Sequence, residues 1–299
     1  MSSPDAVLAP DAVLPPDGVL SPAAARAFPG TFRRQLGAEL RLVFRRRRNL
    51  LMLVVLAGVP VLIGVAVRVS APHNGEGPPL IGQLTGNGLF LAFAALTACL
   101  PVFLPLAVAV VAGDAIAGEA NTGTLRYLLT LPVSRSRVLA LKASGVAAYV
   151  GFCVLLIAAV GMVVGATLFG AHGMTLLSGD TVSLAAGALR ALEVAAFVLV
   201  DLFGLAALAL FFSTLTEVPV GAMAATVGLA IAFAVLDAIP QLGGFRSLLL
   251  THHWFDYGEL LRLQVDAGAL IRSLGVPAAY TAIFGAAAWA RLTSADVTS

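Results

Sequence analysis

The sequence predicts an all-α integral membrane protein, with six transmembrane helices and an amphipathic interfacial helix ahead of the first. Three observations carry that prediction. Hydrophobic residues make up 59% of the chain and charged residues 11%, with a mean hydropathy of +0.96, far more apolar than a water-soluble domain. Several windows run without an internal charge for about 20 residues, the length one helix needs to cross the hydrocarbon core. The positive charges also collect on one set of the loops that those windows define.

Residues 1–30 hold three near-copies of a six-residue unit: Pro4-Asp5-Ala6-Val7-Leu8, Pro10 to Leu14, and Pro16-Asp17-Gly18-Val19-Leu20. Prolines at that frequency oppose a helix, so a disordered cytoplasmic tail is expected. The tail lacks the basic start and continuous apolar core of a secretory signal, so the first span is expected to serve as the internal targeting signal. Over residues 31–48, Phe32, Leu36, Leu40, Val43 and Phe44 recur at helical spacing, while Arg34, Arg41, Arg45 and Arg48 take the opposite face. That pattern predicts a helix lying on the inner leaflet. A topology anchor held by anionic headgroups and a contact surface for another subunit both fit it.

The six-span domain covers residues 49–299. Its spans are predicted at Asn49 to Val69, Gly88 to Ala112, Val138 to Phe169, Ala185 to Phe212, Val218 to Ile239 and Leu274 to Leu292. Pro101 and Pro105 leave the second open to a kink or break. With the amino terminus inside, thirteen of the 18 cationic residues fall on the cytoplasmic side: Arg26, Arg33, Arg34, Arg41, Arg45 to Arg48, Arg126, Arg135, Arg137, Lys142 and Arg291. Arg68, Arg190, Arg246, Arg262 and Arg272 remain outside. The positive-inside rule therefore puts both termini in the cytoplasm.

One inner segment has the length and charge to do more than connect. Gly113 to Lys142 reads GDAIAGEANTGTLRYLLTLPVSRSRVLALK. Its first part is predicted as a short helix with Ile116, Leu125, Leu128 and Leu129 on one side and Asp114, Glu119, Asn121 and Arg126 on the other, interrupted at Gly123. Pro132 ends it, and Arg135 and Arg137 are expected to anchor the third span at the headgroups.

Asp114, Glu119, Gly123-Thr124-Leu125, Pro132-Val133-Ser134-Arg135 and Lys142 match, in type, order and place, the inner loop of the type-2 ABC exporter permeases, which this sequence resembles. The resemblance runs from about Thr31 to Ser299, and only this block is distinctive residue by residue. More weakly, Arg291 to Val297 resembles the family's basic-then-Asp ending. The proline-rich tail has no counterpart. The resemblance implies that Asp114 to Leu131, within a coupling segment 113–137, forms a cytoplasmic coupling helix seated on a separate nucleotide-binding subunit. Asp114, Glu119, Gly123, Thr124, Leu125, Arg126, Pro132 and Arg135 would then face that ATPase, with Glu119 and Arg126 foremost. The plainer account pairs Glu119 and Arg126 with each other, or with Arg135, as local surface ion pairs. The resemblance also implies a prokaryotic cytoplasmic-membrane exporter of two permeases and two ATPase subunits, and the apolar spans without a charged central pocket favour an outward-moving hydrophobic or amphipathic cargo, such as a drug, an antibiotic or a lipid.

An ATP-binding loop needs a lysine directly after a glycine, and the only lysine, Lys142, follows Leu141. No cofactor is therefore expected in this chain, and ATP and Mg belong to the partner. Lys142 is expected to anchor the end of the third span. Zinc-protease and serine-hydrolase motifs are absent from the sequence, so enzymatic activity is not expected. His252 and Asp256 share a helical face but supply too few ligands for a metal. Cys99 and Cys153, both in apolar windows, read as packing residues.

In the fourth span Arg190, Glu193 and Asp201 fall within about 80° of one another, a polar stripe whose deep member is Asp201. It lines a translocation path or hydrogen-bonds a neighbouring helix, and both readings stand. Gly161 and Gly165 have the spacing for close helix approach within one subunit. The outer segment 240–275 carries Trp254, Phe255 and Tyr257, which suit the headgroup level. The resemblance implies that this segment dips back into the membrane. An ion- or proton-coupled transporter working without an ATPase is the alternative, with Glu193 and Asp201 as its coupling groups. A lipid-modifying membrane enzyme would need a cluster of acids, histidines or metal ligands near one surface, and the sequence offers none.

Overall fold

The computed structural model describes residues 29–70, 88–123, 134–170, 174–175, 181–262 and 264–294. The repetitive segment up to residue 28 lies outside them, as do Thr124, Leu125, Arg126 and Pro132. Among the described residues the regular structure is all helical apart from two paired dipeptides. Its helices are α1 (Pro29–Arg45), α2 (Arg47–Ser70), α3 (Phe90–Cys99), α4 (Phe103–Asn121), α5 (Arg135–Phe169), α6 (Leu184–Leu215), α7 (Pro219–Asp237) and α8 (Ala267–Ser294). Six of them, α2 and α4 to α8, are long and apolar enough to cross a membrane. β1 (Met174–Thr175) and β2 (Thr181–Val182) pair antiparallel between α5 and α6.

The second predicted span is divided. α3 stops at Cys99 and α4 starts at Phe103, because Pro101 has no N–H to continue the ladder. Pro105 falls in the first turn of α4, where N–H groups have no helical partner in any case. α4 then runs on through Asn121, well past the predicted end at Ala112, and Gly123 closes it with a φ of 70° that favours glycine. Asp114 and Glu119 thus sit on the last turns of a spanning helix, not on a separate short helix.

α4 and α6 form the centre of the bundle, with most of their side chains buried, while α2, α7 and α8 turn most of theirs outward. α2 shows why its sequence is apolar all round. Leu53, Leu56, Pro60 and Gly64 make one buried stripe, and the remaining aliphatic surface faces away from the protein. Cys99 and Cys153 are unpaired and fully buried as packing residues.

α1 begins and ends slightly earlier than its sequence pattern predicts, so Arg48 belongs to α2. Its apolar face packs on α5, where the Phe44 ring meets Tyr149 at 5.4 Å and Phe152 at 5.2 Å between centroids. The corner between α1 and α2 is closed by hydrogen bonds. Asn49 Nδ2 donates to the Val43 carbonyl at 2.8 Å, and the buried Tyr149 hydroxyl donates to the Asn49 carbonyl at 2.8 Å. The Val43 carbonyl, in the last turn of α1, thereby gains a partner, and the Asn49 carbonyl, in the first turn of α2, gains a second donor.

Gly161 and Gly165 let α5 cross α3 at backbone distance, within one chain. A Cβ at Gly161 would lie 2.6 Å from Ala92 Cα, and one at Gly165 would run into the backbone of Gly88. Gly58 on α2 has nothing within 4 Å of its Cβ position. Gly165→Val is therefore expected to lower stability by about 1–3 kcal/mol, with Gly58→Ala neutral or slightly stabilising. Thermal unfolding of the two variants in detergent, side by side, checks this contrast.

Candidate functional site

The site is built around the end of α4, where four elements bring charge together. Its base is a hydroxyl inserted into a helix ladder. The Ser213 hydroxyl of α6 donates to the Gly113 carbonyl at 2.7 Å and accepts from the N–H groups of Ile116 at 3.1 Å and Ala117 at 2.9 Å. Gly113 also lets α7 come close, since a Cβ there would stand 3.0 Å from Met223 Cγ. The last two turns of α4 are thus seated on α6 and α7 before any charge is considered.

Above that seat, Asp114 is buried and ion-paired with two arginines at the α1–α2 corner, Arg46 and, at 3.1 Å, Arg48. Arg48 also donates to the Val110 carbonyl at 3.5 Å. A turn further on, Lys142 of α5 lies between two carboxylates. Its Nζ is 3.0 Å from both oxygens of Glu39 on α1 and is paired with Glu119 on α4. All three side chains are nearly buried, with 8% of Lys142 exposed and 15% of each glutamate. A charge at that depth is tolerated only when opposed, and this arrangement opposes it twice.

This geometry corrects two expectations. Lys142 is an interior bridge among three helices, not an anchor at the end of a span. Arg135 donates to the carbonyls of Leu292 and Thr293, both at 3.1 Å, and so caps the last turn of α8. Cations suit that position because terminal carbonyls are unsatisfied and the helix dipole is negative there. Asp114 and Ile116 also point inward, Ile116 joining Leu139, Ala288, Leu292 and Phe211 in a small apolar cluster. Of the predicted coupling residues, Gly123 is exposed, Glu119 is held by Lys142, and Thr124, Leu125, Arg126 and Pro132 lie outside the described residues. Glu39, Arg46, Arg48, Asn49, Tyr149 and Ser213 were not singled out as site residues. The first three read as ordinary surface charge, and no sequence spacing links them to residues 60 to 100 positions away.

The stripe on α6 also divides. Arg190 pairs with Glu193 at 3.3 Å, one turn along the same helix. Asp201 is fully buried, and neither of its carboxylate oxygens meets a hydrogen-bond donor among the described residues.

The segment after α7 forms three 3-10 turns, Pro240–Leu248, Leu250–His253 and Asp256–Leu261, of which the second and third fold inward. Leu250 reaches Gly204 of α6, where a Cβ would meet it at 2.9 Å, and Gly204 is 20 residues from the start of that helix, about 30 Å along its axis. Trp254 and Tyr257 are buried, with the Tyr257 and Thr97 hydroxyls 2.5 Å apart, so of the three aromatics expected at headgroup level only Phe255 faces outward. His252 does not join Asp256. It pairs with Asp237 at 2.6 Å beside Arg246 at 3.2 Å, while His253 takes Asp256 at 2.8 Å.

Six apolar helices of spanning length, two of them buried at the centre of the bundle, with buried charge confined largely to one end, define a multi-pass membrane protein. The sequence profile of the ABC-2 family transporter proteins matches residues 37–263, about three quarters of the chain. The chain belongs to that family and is a permease component of an ABC transporter. Membership implies, in general, an ATP-binding partner subunit. Among curated proteins the chain has no significant match.

Removing the bridging cation leaves two facing carboxylates with little access to water. Lys142→Ala is expected to destabilise the protein by about 3 kcal/mol and to be partly rescued by a second change, Glu39→Gln. Arg190→Ala, which opens a more exposed pair, is expected to cost under about 1 kcal/mol. Thermal unfolding of the three variants in one detergent decides between these magnitudes.

Proposed function

We propose that this chain is the transmembrane permease subunit of an ATP-driven exporter in a prokaryotic cytoplasmic membrane. Both termini and the basic end carrying α1 face the cytoplasm, an orientation supported by the excess of arginine at that end. The chain pairs with a second copy or a related permease, and two separate ATPase subunits bind ATP and Mg. The cargo is hydrophobic or amphipathic (a drug, antibiotic or lipid) and passes outward between the two permeases. Residues 113–137 contact the ATPase through Glu119, Gly123, Thr124, Leu125, Arg126 and Pro132, while Asp114 and Arg135 hold the two ends of the segment in place.

The observation that best supports this reading is the locking of the α4 end. Ser213, the paired arginines on Asp114, and Lys142 on Glu119 connect it to α6, α2, α5 and α1 at once. A force applied at the segment just beyond Gly123 therefore reaches four helices through short, buried contacts, as an ATPase-driven permease requires.

Gentle purification of the tagged chain from its native host is expected to retain a stoichiometric P-loop ATPase. Arg126→Ala and Glu119→Gln are each expected to reduce permease-stimulated ATP hydrolysis several-fold while membrane insertion stays intact. Unchanged hydrolysis in both variants overturns the coupling assignment.

The buried carboxyl of Asp201, without a hydrogen-bond partner among the described residues, favours a second reading, a proton- or ion-coupled carrier. Transport assays on Asp201→Asn separate the two. The exporter reading expects ATP-dependent transport to survive within about threefold, and the carrier reading expects transport to vanish together with its dependence on the proton gradient.

A further inference from the structure

A cleft of 480 Å³ lies between α5, α6 and α8 in the half of the bundle nearest α1. Its floor is α6, at Phe203, Ala207 and Leu210, and its walls are small residues, Ala143 and Ala147 on α5 and Gly285 on α8. α5 and α8 are tied together at the basic end, where Trp289 Nε1 donates to the Ser136 hydroxyl at 2.8 Å and Arg135 caps α8. Farther in, the walls have no side chain large enough to fill the gap between them.

We infer that this cleft binds one acyl chain of an anionic phospholipid from the leaflet on the basic side. The cleft runs from Ser136 to Ala147, about 17 Å along α5, close to the ~15 Å depth of one leaflet's hydrocarbon. Its volume over that length gives a cross-section of about 28 Å², room for one extended hydrocarbon chain. A helix from a second copy, about 10 Å or more across, does not fit. Water is a poor occupant as well. Ser144 donates to the Ala140 carbonyl at 2.7 Å, Thr281 donates to the Pro277 carbonyl at 2.8 Å, and Ser136 is engaged by Trp289, so the lining offers few open hydrogen-bonding sites. Left unfilled, the lining atoms would forgo their dispersion contacts, which an acyl chain restores.

The headgroup preference follows from charge. Arg135 and Arg137 flank Ser136 at the mouth, and Arg291 is one turn beyond Ala288 on α8. Arg137 is held in place over the Phe32 ring at 5.8 Å. A phosphodiester at that level gains from cations and donors already held in place. The inference rests on the membrane-spanning architecture alone and stands apart from the proposed ATPase partner.

The test uses the full-length protein in vesicles of three parts phosphatidylcholine to one part phosphatidylglycerol, each doped in turn with either lipid carrying a spin label deep on one acyl chain. The expected result is about one motionally restricted, saturable phosphatidylglycerol per chain beyond the ordinary lipid shell, with at least a threefold preference over phosphatidylcholine. Ala143→Phe is expected to abolish that component. Arg137→Gln is expected to keep the restricted chain but lose most of the preference. Unchanged stoichiometry in a folded Ala143→Phe variant overturns the site, and equal affinity for the two lipids in the unaltered protein overturns the headgroup assignment. Should Ala143→Phe fail to fold, native mass spectrometry of the unaltered protein after washing in neutral detergent decides the matter. One retained phosphatidylglycerol per chain upholds the inference, and a lipid-free protein refutes it.

Discussion

The one lysine of this chain sets the arrangement of the helices around it. A buried ammonium is sustained only by opposing charge, and Lys142 receives it from two different helices. Glu39 must therefore be brought to α5, which places α1, and Glu119 must be brought there too, which sets the end of α4. The Asn49 and Tyr149 hydrogen bonds and the Phe44 ring contacts then fill in a position that the charges already constrain. Asp114 repeats the logic one turn earlier with the arginines of the α1–α2 corner. Two acidic residues on one helix end thus determine how an interfacial helix and three other helices meet.

The remainder of the fold answers a backbone requirement. In hydrocarbon every N–H and C=O needs a partner within the protein, so irregular chain is admitted only where protein surrounds it. Of the irregular pieces, the 3-10 turns Leu250–His253 and Asp256–Leu261 meet that condition by lying against other helices, whereas Pro101 and Val102 at the α3–α4 break and the turn Pro240–Leu248 stay exposed. Leu250 lodges at Gly204, and Tyr257 joins Thr97 of α3. Small residues make the irregular pieces fit, as Gly161 and Gly165 do where α5 crosses α3. The same economy of side-chain volume between α5 and α8 is filled by no segment among the described residues, and a cleft is left there.

These two features bear on function from opposite directions. The charged lock is largely buried, and it lies at the base of the segment through which a partner would act. The cleft opens from the same half of the bundle, and one of its walls, α5, carries Lys142. Movement of α4 against α5 at the lock would therefore be felt along the cleft wall, because both features share one continuous helix.

Hydrophobic residues in windows of sufficient length were enough to set the number of spans. Each window must be covered by lipid or protein, and the chain has no third option. The amphipathic spacing from Phe32 to Phe44 and the helix break near Pro101 were legible for similarly local reasons, a repeat and a missing N–H. The inner block from Asp114 to Lys142 was legible as a family pattern, and the profile match over residues 37–263 agrees with it.

The sequence did not disclose the partners of those charges. Lys142 read as a span anchor and Arg135 as a headgroup contact because each lies at a helix end. Only the packing of α5 against α1 and α8 turned the first into a buried bridge and the second into a cap. Local spacing therefore determined which segments are helices and how many cross the membrane. Tertiary structure decided which charges meet, because an ion pair between residues about 100 positions apart depends on how helices pack and leaves no periodic trace in the sequence.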